Sequence, residues 1–115
     1  MRARLPLALA ASAATSLLLS TPVVAAAAPQ TARTHVIVID KMKFGPAPRT
    51  IRQGDTILWV NRDLFRHTAT ATNKSFDVDL PAGTQKRMVL RSAGSIPFIC
   101  KFHPGMRGVL RVAGR

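Results

Sequence analysis

From residue 35 onward the chain never sustains an apolar stretch, because short hydrophobic runs are repeatedly broken by Gly, Pro, Asn and Asp. An amphipathic helix needs apolar residues recurring near every 3.6 positions over ~10 or more residues, and no window keeps that period. Short, evenly punctuated runs are instead the rhythm of an all-β sandwich. Strands are expected at residues 35–40 (HVIVID), 56–61 (TILWVN), 67–72 (HTATAT), 87–91 (RMVLR), 95–100 (SIPFIC) and 108–112 (GVLRV). Gln53-Gly54-Asp55, Pro81-Ala82-Gly83-Thr84 and Ala93-Gly94-Ser95 supply the turn chemistry between them.

Residues two apart on a strand share a face. Ile96, Phe98 and Cys100 form one apolar face, opposite Ser95 and Lys101, so Cys100 is expected to point inward. His67, Ala69 and Ala71 share a face in the same way, and the two alanines leave room beneath whatever His67 holds. Trp59, the only tryptophan, falls inside a strand and reads as core.

The N-terminus has a different character. Arg2 and Arg4 precede an apolar run at residues 5–19, and small residues follow, ending in Ala25-x-Ala27. This is the layout of a secretory signal peptide, with cleavage expected after Ala27. The run is diluted by Ala, Ser and Thr and falls short of the ~20 apolar residues of a membrane span, so no stable membrane anchor is expected. Residues 28–34 read as a flexible lead-in and residues 35–115 as one domain, since the remainder is smaller than the ~100–150 residues typical of a single domain. The expected location is the periplasm or another exported compartment.

Such a small exported core is commonly stapled by disulfides, yet Cys100 is the only cysteine. Either it is a buried thiol or a metal protects it. Of the 17 basic residues Arg2 and Arg4 belong to the leader, which leaves 15 against 5 acidic ones, a net charge of +10. That excess favours acidic partners through long-range steering. Export, together with the absence of tyrosines and of a basic helix, argues against nucleic acid.

Around Cys100 the chain reads Cys100-Lys101-Phe102-His103-Pro104-Gly105-Met106, so thiolate, imidazole and thioether recur three residues apart. A cysteine at a strand end followed by a tight Pro-Gly turn can aim all three at one point. His67 opens an upstream strand on its inward face and supplies a fourth donor. Two imidazoles, a thiolate and a weak thioether suit copper, as one type 1 ion, because soft sulfur favours Cu(I) while imidazole suits Cu(II). Zinc sites recruit more Cys or His and rarely Met. A Cys–His nucleophile would need an exposed thiolate, whereas Cys100 is expected to be buried. Met42 and Met88 have no His or Cys at ligand spacing, and His35 is expected to face solvent, apart from any metal.

With these residues on the page, the chain resembles the cupredoxins, and among them the amicyanins. The loop from Cys100 to Met106 has the short C-x-x-H-x-x-M spacing of that group, followed by Arg107-Gly108. The segment Trp59-Val60-Asn61-Arg62-Asp63-Leu64-Phe65-Arg66-His67 is similar to the run that leads into the upstream ligand there. Thr68 stands where amicyanins have Asn, and Lys101-Phe102 where they have Thr-Pro. The resemblance implies a Greek-key β-sandwich of about seven or eight strands. It also implies that Asn61 ties the upstream ligand segment to the cysteine loop.

Three functions are compatible with this reading. The chain could carry single electrons by Cu(II)/Cu(I) cycling, without being an enzyme. It could deliver copper to a partner, or it could act only through its basic surface. An electron carrier needs a small docking face, for which Phe65, Phe102 and Pro104 form a candidate apolar rim near the histidines. Its partner would be an acidic redox protein, such as a cytochrome or a dehydrogenase, met by a monomer.

Overall fold

The computed structural model describes residues 2–26, 28 and 30–115; the expected cleavage point at Ala27 lies outside the described residues. The described residues before Thr34 are exposed and carry neither helix nor strand, and no described helix is long and apolar enough to cross a membrane.

The described residues form nine strands: β1 (Thr34–Asp40), β2 (Lys43–Phe44), β3 (Ile51–Arg52), β4 (Thr56–Asn61), β5 (His67–Ala71), β6 (Asp77–Leu80), β7 (Gln85–Val89), β8 (Gly94–Ile99) and β9 (Arg107–Ala113). They form two sheets, β2-β1-β4-β7 and β3-β9-β8-β5-β6. The β1–β4 and β3–β9 pairs are parallel and the rest antiparallel. The all-β sandwich is as expected. The count reaches nine among the described residues because β2 and β3 are two-residue edge strands, and β6 spans only four residues.

Strand alternation builds the core. Ile37 and Ile39 of β1, Ile57 and Trp59 of β4, Ile96 and Phe98 of β8, and Leu110 and Val112 of β9 are all buried. The centre is aromatic: Phe98 lies edge-on to Trp59 at 5.2 Å and to Phe44 at 4.8 Å between ring centroids. Gly108 on β9 is required there, since a β-carbon at that position would overlap the Phe98 ring. The indole Nε1 of Trp59 is buried with no hydrogen-bond partner among the described residues.

Two expectations need correction. β7 runs two residues earlier than residues 87–91, over Gln85–Val89, and the Leu90 N–H continues its register with a bond to the Asp55 carbonyl. His35 is not solvent-facing: its side chain is 10 % exposed and its Nε2 lies 2.8 Å from the buried carboxylate of Asp55.

Candidate metal centre

The centre lies at the end of the sandwich where β4 finishes, β5 begins and β8 runs out. β5 is buried on both faces at its start, so His67 is fully enclosed and Thr68 beside it nearly so. Cys100 follows β8 directly. Its N–H donates to the Met106 carbonyl at 3.0 Å, and the Met106 N–H donates to the His103 carbonyl at 3.2 Å. These two bonds close the loop into a compact turn in which Gly105 takes a φ of 93°, a conformation natural to glycine. Met106 ends the loop with only 6 % of its surface exposed, within the hydrophobic core.

This folding brings together three of the four expected donors. His67 Nδ1 stands 3.1 Å from His103 Nδ1, and the Cys100 Sγ lies 3.8 Å from the first and 3.5 Å from the second. Among the described residues, these three form the one group of His, Cys, Asp or Glu side chains able to share a metal ion. A point equidistant from the three atoms lies roughly 2 Å from each, within the range of transition-metal bonds to nitrogen and sulfur. The donor set and spacing fit a single type 1 copper ion.

A second layer holds the donors. The Nε2 of His67 lies 2.8 Å from the Asp63 carboxylate, which fixes that nitrogen as the N–H donor and leaves Nδ1 free for a metal. Asp63 also accepts the N–H groups of Lys41 at 2.7 Å and Met42 at 2.9 Å. Burial works to raise its pKa. The Met42 N–H, the His67 ring and the Lys41 N–H outweigh that effect and hold the carboxyl below the usual range. Lys41 and Met42 form the β1–β2 turn with φ of 51° and 60°, the left-handed region that such side chains avoid. One carboxylate therefore holds a strained turn and a ligand ring together.

Asn61 does not make the tie to the cysteine loop expected of it. Its amide donates to the carbonyls of Phe65 at 2.8 Å and Leu80 at 2.9 Å, and its Oδ1 accepts the Asp63 N–H at 2.9 Å. It shapes the loop that presents Asp63 and His67. The tie comes from Thr68, whose N–H points at Cys100 Sγ at 3.4 Å and whose Oγ1 accepts the Lys101 N–H at 2.9 Å. The Thr68 and Thr70 hydroxyls lie 2.9 Å apart, and Thr70 lies 2.8 Å from Asp77. Thr70 has one proton and the carboxylate takes it, so Thr68 donates to Thr70. Lys101 Nζ closes the circuit on the same carboxylate at 2.8 Å.

His103 is the ligand nearest solvent. Phe65 sits edge-on to it at 6.3 Å between centroids and is 59 % exposed; Phe102 is 49 % exposed. Pro104 is also exposed. Arg66 lies over the Phe102 ring at 5.3 Å while gripping both carboxylate oxygens of Asp79 at 2.7 Å. Three contributors escaped sequence reasoning: Asp63, Thr68 and the fully exposed Leu64 beside Phe65. An acid four residues before His67 and a lone leucine in a polar loop were the available signals.

A family model described as Cupredoxin-like domain matches residues 8–112. Amicyanin from Paracoccus versutus is 32% identical over 93 residues, covering 76% of this chain and 69% of the relative. The crystal structure of amicyanin from the same organism is similar with a TM-score of 0.56 at 29% identity, covering 70% of this chain and 79% of that one. The Cu-containing nitrite reductase from Thermus scotoductus SA-01 is similar with a TM-score of 0.59 at 27% identity, covering 67% of this chain but 21% of the reductase, so the chain spans about a fifth of it. The family match runs from before β1 into β9, and the chain belongs to the cupredoxin-like family, in which it is a homologue of amicyanin.

Proposed function

We propose that this protein carries single electrons between redox partners, with His67, Cys100, His103 and Met106 holding the copper ion. When bound, copper supplies the one-electron Cu(II)/Cu(I) couple. The observation that carries this reading is the convergence of His67, Cys100 and His103 donor atoms within 3.8 Å, at a loop closed by the Cys100 N–H bond to Met106 and the Met106 N–H bond to His103.

The residues divide the work. Asp63 orients the His67 ring, and the Thr68 N–H stabilises the Cys100 thiolate. Such a preorganised set changes little on oxidation or reduction, which keeps the barrier to electron exchange low. His103 is the exit, because its ring is partly exposed inside the apolar rim of Phe65, Phe102 and Pro104. The rim gives a small dry contact suited to a brief encounter. The partner is an acidic redox protein, steered by the net charge of +12 on the whole chain, or +10 without the leader. Export under the leader of residues 1–27 places that encounter outside the cytoplasm.

Visible and electron paramagnetic resonance spectra of the Cu(II)-loaded protein, followed by voltammetry, test the proposal. Electron transfer requires an intense thiolate-to-copper band and a reversible one-electron wave. A colourless Cu(II) form, or copper lost on reduction, would favour copper delivery instead.

A further inference from the structure

We propose that the pole of the sandwich remote from His103 docks reversibly on the phosphate headgroups of an anionic phospholipid surface. A groove of about 550 Å³ runs between β3 and β9 there, walled by Arg49, Arg52 and Arg111 with no acidic residue among its lining. None of these three guanidinium groups forms an ion pair with a described residue: the ion pairs join Asp55 to His35, Asp79 to Arg66, Asp63 to His67 and Asp77 to Lys101. Arg33 lines a second cleft beside Arg52, which also holds Asp55, whose carboxylate is taken up by the Arg33 and Arg52 N–H groups and by His35, and Arg91 and Arg115 line a third next to Gly54. Convergence of like charges is unfavourable until an anion joins them. Guanidinium forks, unlike ammonium groups, match the oxygens of a phosphate in pairs.

The spread of the arginines over several open clefts selects an arrayed anionic surface over a lone phosphate, which could satisfy only one cleft. A second observation points the same way. The apolar N-terminal segment joins the domain at Arg33 and Thr34, on this same pole, where the Arg33 N–H donates to Asp55 at 2.9 Å. That segment therefore leaves the domain from the arginine pole. The cysteine loop lies at the other end of β4, roughly 20 Å distant, and stays clear of anything bound at this pole. Basic side chains within a Debye length of an anionic leaflet each add to binding, and salt weakens them together.

The test uses the full chain, so that the leader contributes equally throughout. Sedimentation is measured with vesicles of phosphatidylcholine alone and of phosphatidylcholine mixed with phosphatidylglycerol. Wild type is compared with Arg49→Gln/Arg52→Gln/Arg111→Gln and with a charge-matched control, Lys43→Gln/Lys86→Gln/Arg87→Gln. The substituted side chains are all exposed, and circular dichroism confirms the fold. The groove variant should lose more than about tenfold in partitioning to the mixed vesicles, while the control stays within about twofold of wild type. Equal losses in both variants would reduce the effect to net charge and overturn the proposal. Equal binding to both vesicle types would overturn it as well, by assigning the association to the leader. In a separate titration, inorganic phosphate shifting the arginine resonances without any vesicle preference would make the groove a free-phosphate site and also overturn it.

Discussion

The strand β4 is bracketed by two copies of the same device. Before it, Asp55 accepts the N–H groups of Arg33 and Arg52 and lies 2.8 Å from His35 Nε2. After it, Asp63 accepts the N–H groups of Lys41 and Met42 and lies 2.8 Å from His67 Nε2. Each carboxylate thus ties two backbone donors and one imidazole. The pairs differ in what the other ring nitrogen meets. For His67 it meets Cys100 and His103; His35 has no such cluster among the described residues. A carboxylate–imidazole pair is therefore a fastening by itself, and becomes part of a redox site only where topology delivers a thiolate and a second imidazole.

The sharpest way to break this comparison is to remove the thiolate. Cys100→Ser should abolish the blue band entirely, since that band requires a copper–sulfur bond, while the Asp55–His35 end stays folded. A band surviving in the visible spectrum would contradict the proposed ligand set. Next, Asp63→Asn should weaken Cu(II) affinity by about 10- to 100-fold, whereas Asp55→Asn should leave it within about twofold. Competition titrations against a chelator measure both, and equal effects would erase the distinction between the two pairs.

Acid probes the distal pair. Burial works to raise the Asp55 pKa, but the Arg33 N–H, His35 and the Arg52 N–H outweigh it and bring the value from 3.8 down to about 2. The folded value is the depressed one, so acid protonates the unfolded chain first. The stabilisation is complete above pH 3.8 and disappears as pH falls towards about 2. It amounts to about 2 kcal/mol, and Asp55→Asn should flatten that part of the stability profile measured by urea unfolding. The smallest effect is expected from Thr68→Val, which leaves the Lys101 N–H without its acceptor and costs about 1–2 kcal/mol. It should also shift the reduction potential through the loosened loop, an effect that a merely structural threonine would not produce.

Much of this was legible in the sequence because it is local. The spacing within the Cys100–Met106 loop lies in one segment, and the inward faces of β5 and β8 follow from period-two alternation, which burial of His67, Ala69, Phe98 and Cys100 matches. What stayed hidden depends on partners far along the chain. The mate of His35 is twenty residues away through a parallel pairing, so the ring looked like an exposed strand end. The resemblance suggested Asn61 for the tie to the cysteine loop, whereas the hydroxyl of Thr68 makes it, and only because β5 lies beside β8. β2 and β3 are too short to show any period.

The position of β9 has a kinetic meaning. It is the last strand in the chain, yet it lies inside its sheet, flanked by β3 and β8, with Ile51 paired to Val112 across most of the domain. Pairings this distant in sequence slow folding, since chain entropy is lost before contacts compensate for it. The five-stranded sheet cannot close until residues 107–113 are in place between β3 and β8. The loop from Cys100 to Met106, which joins β8 to β9, therefore takes its metal-binding shape late, once β9 has paired on both sides.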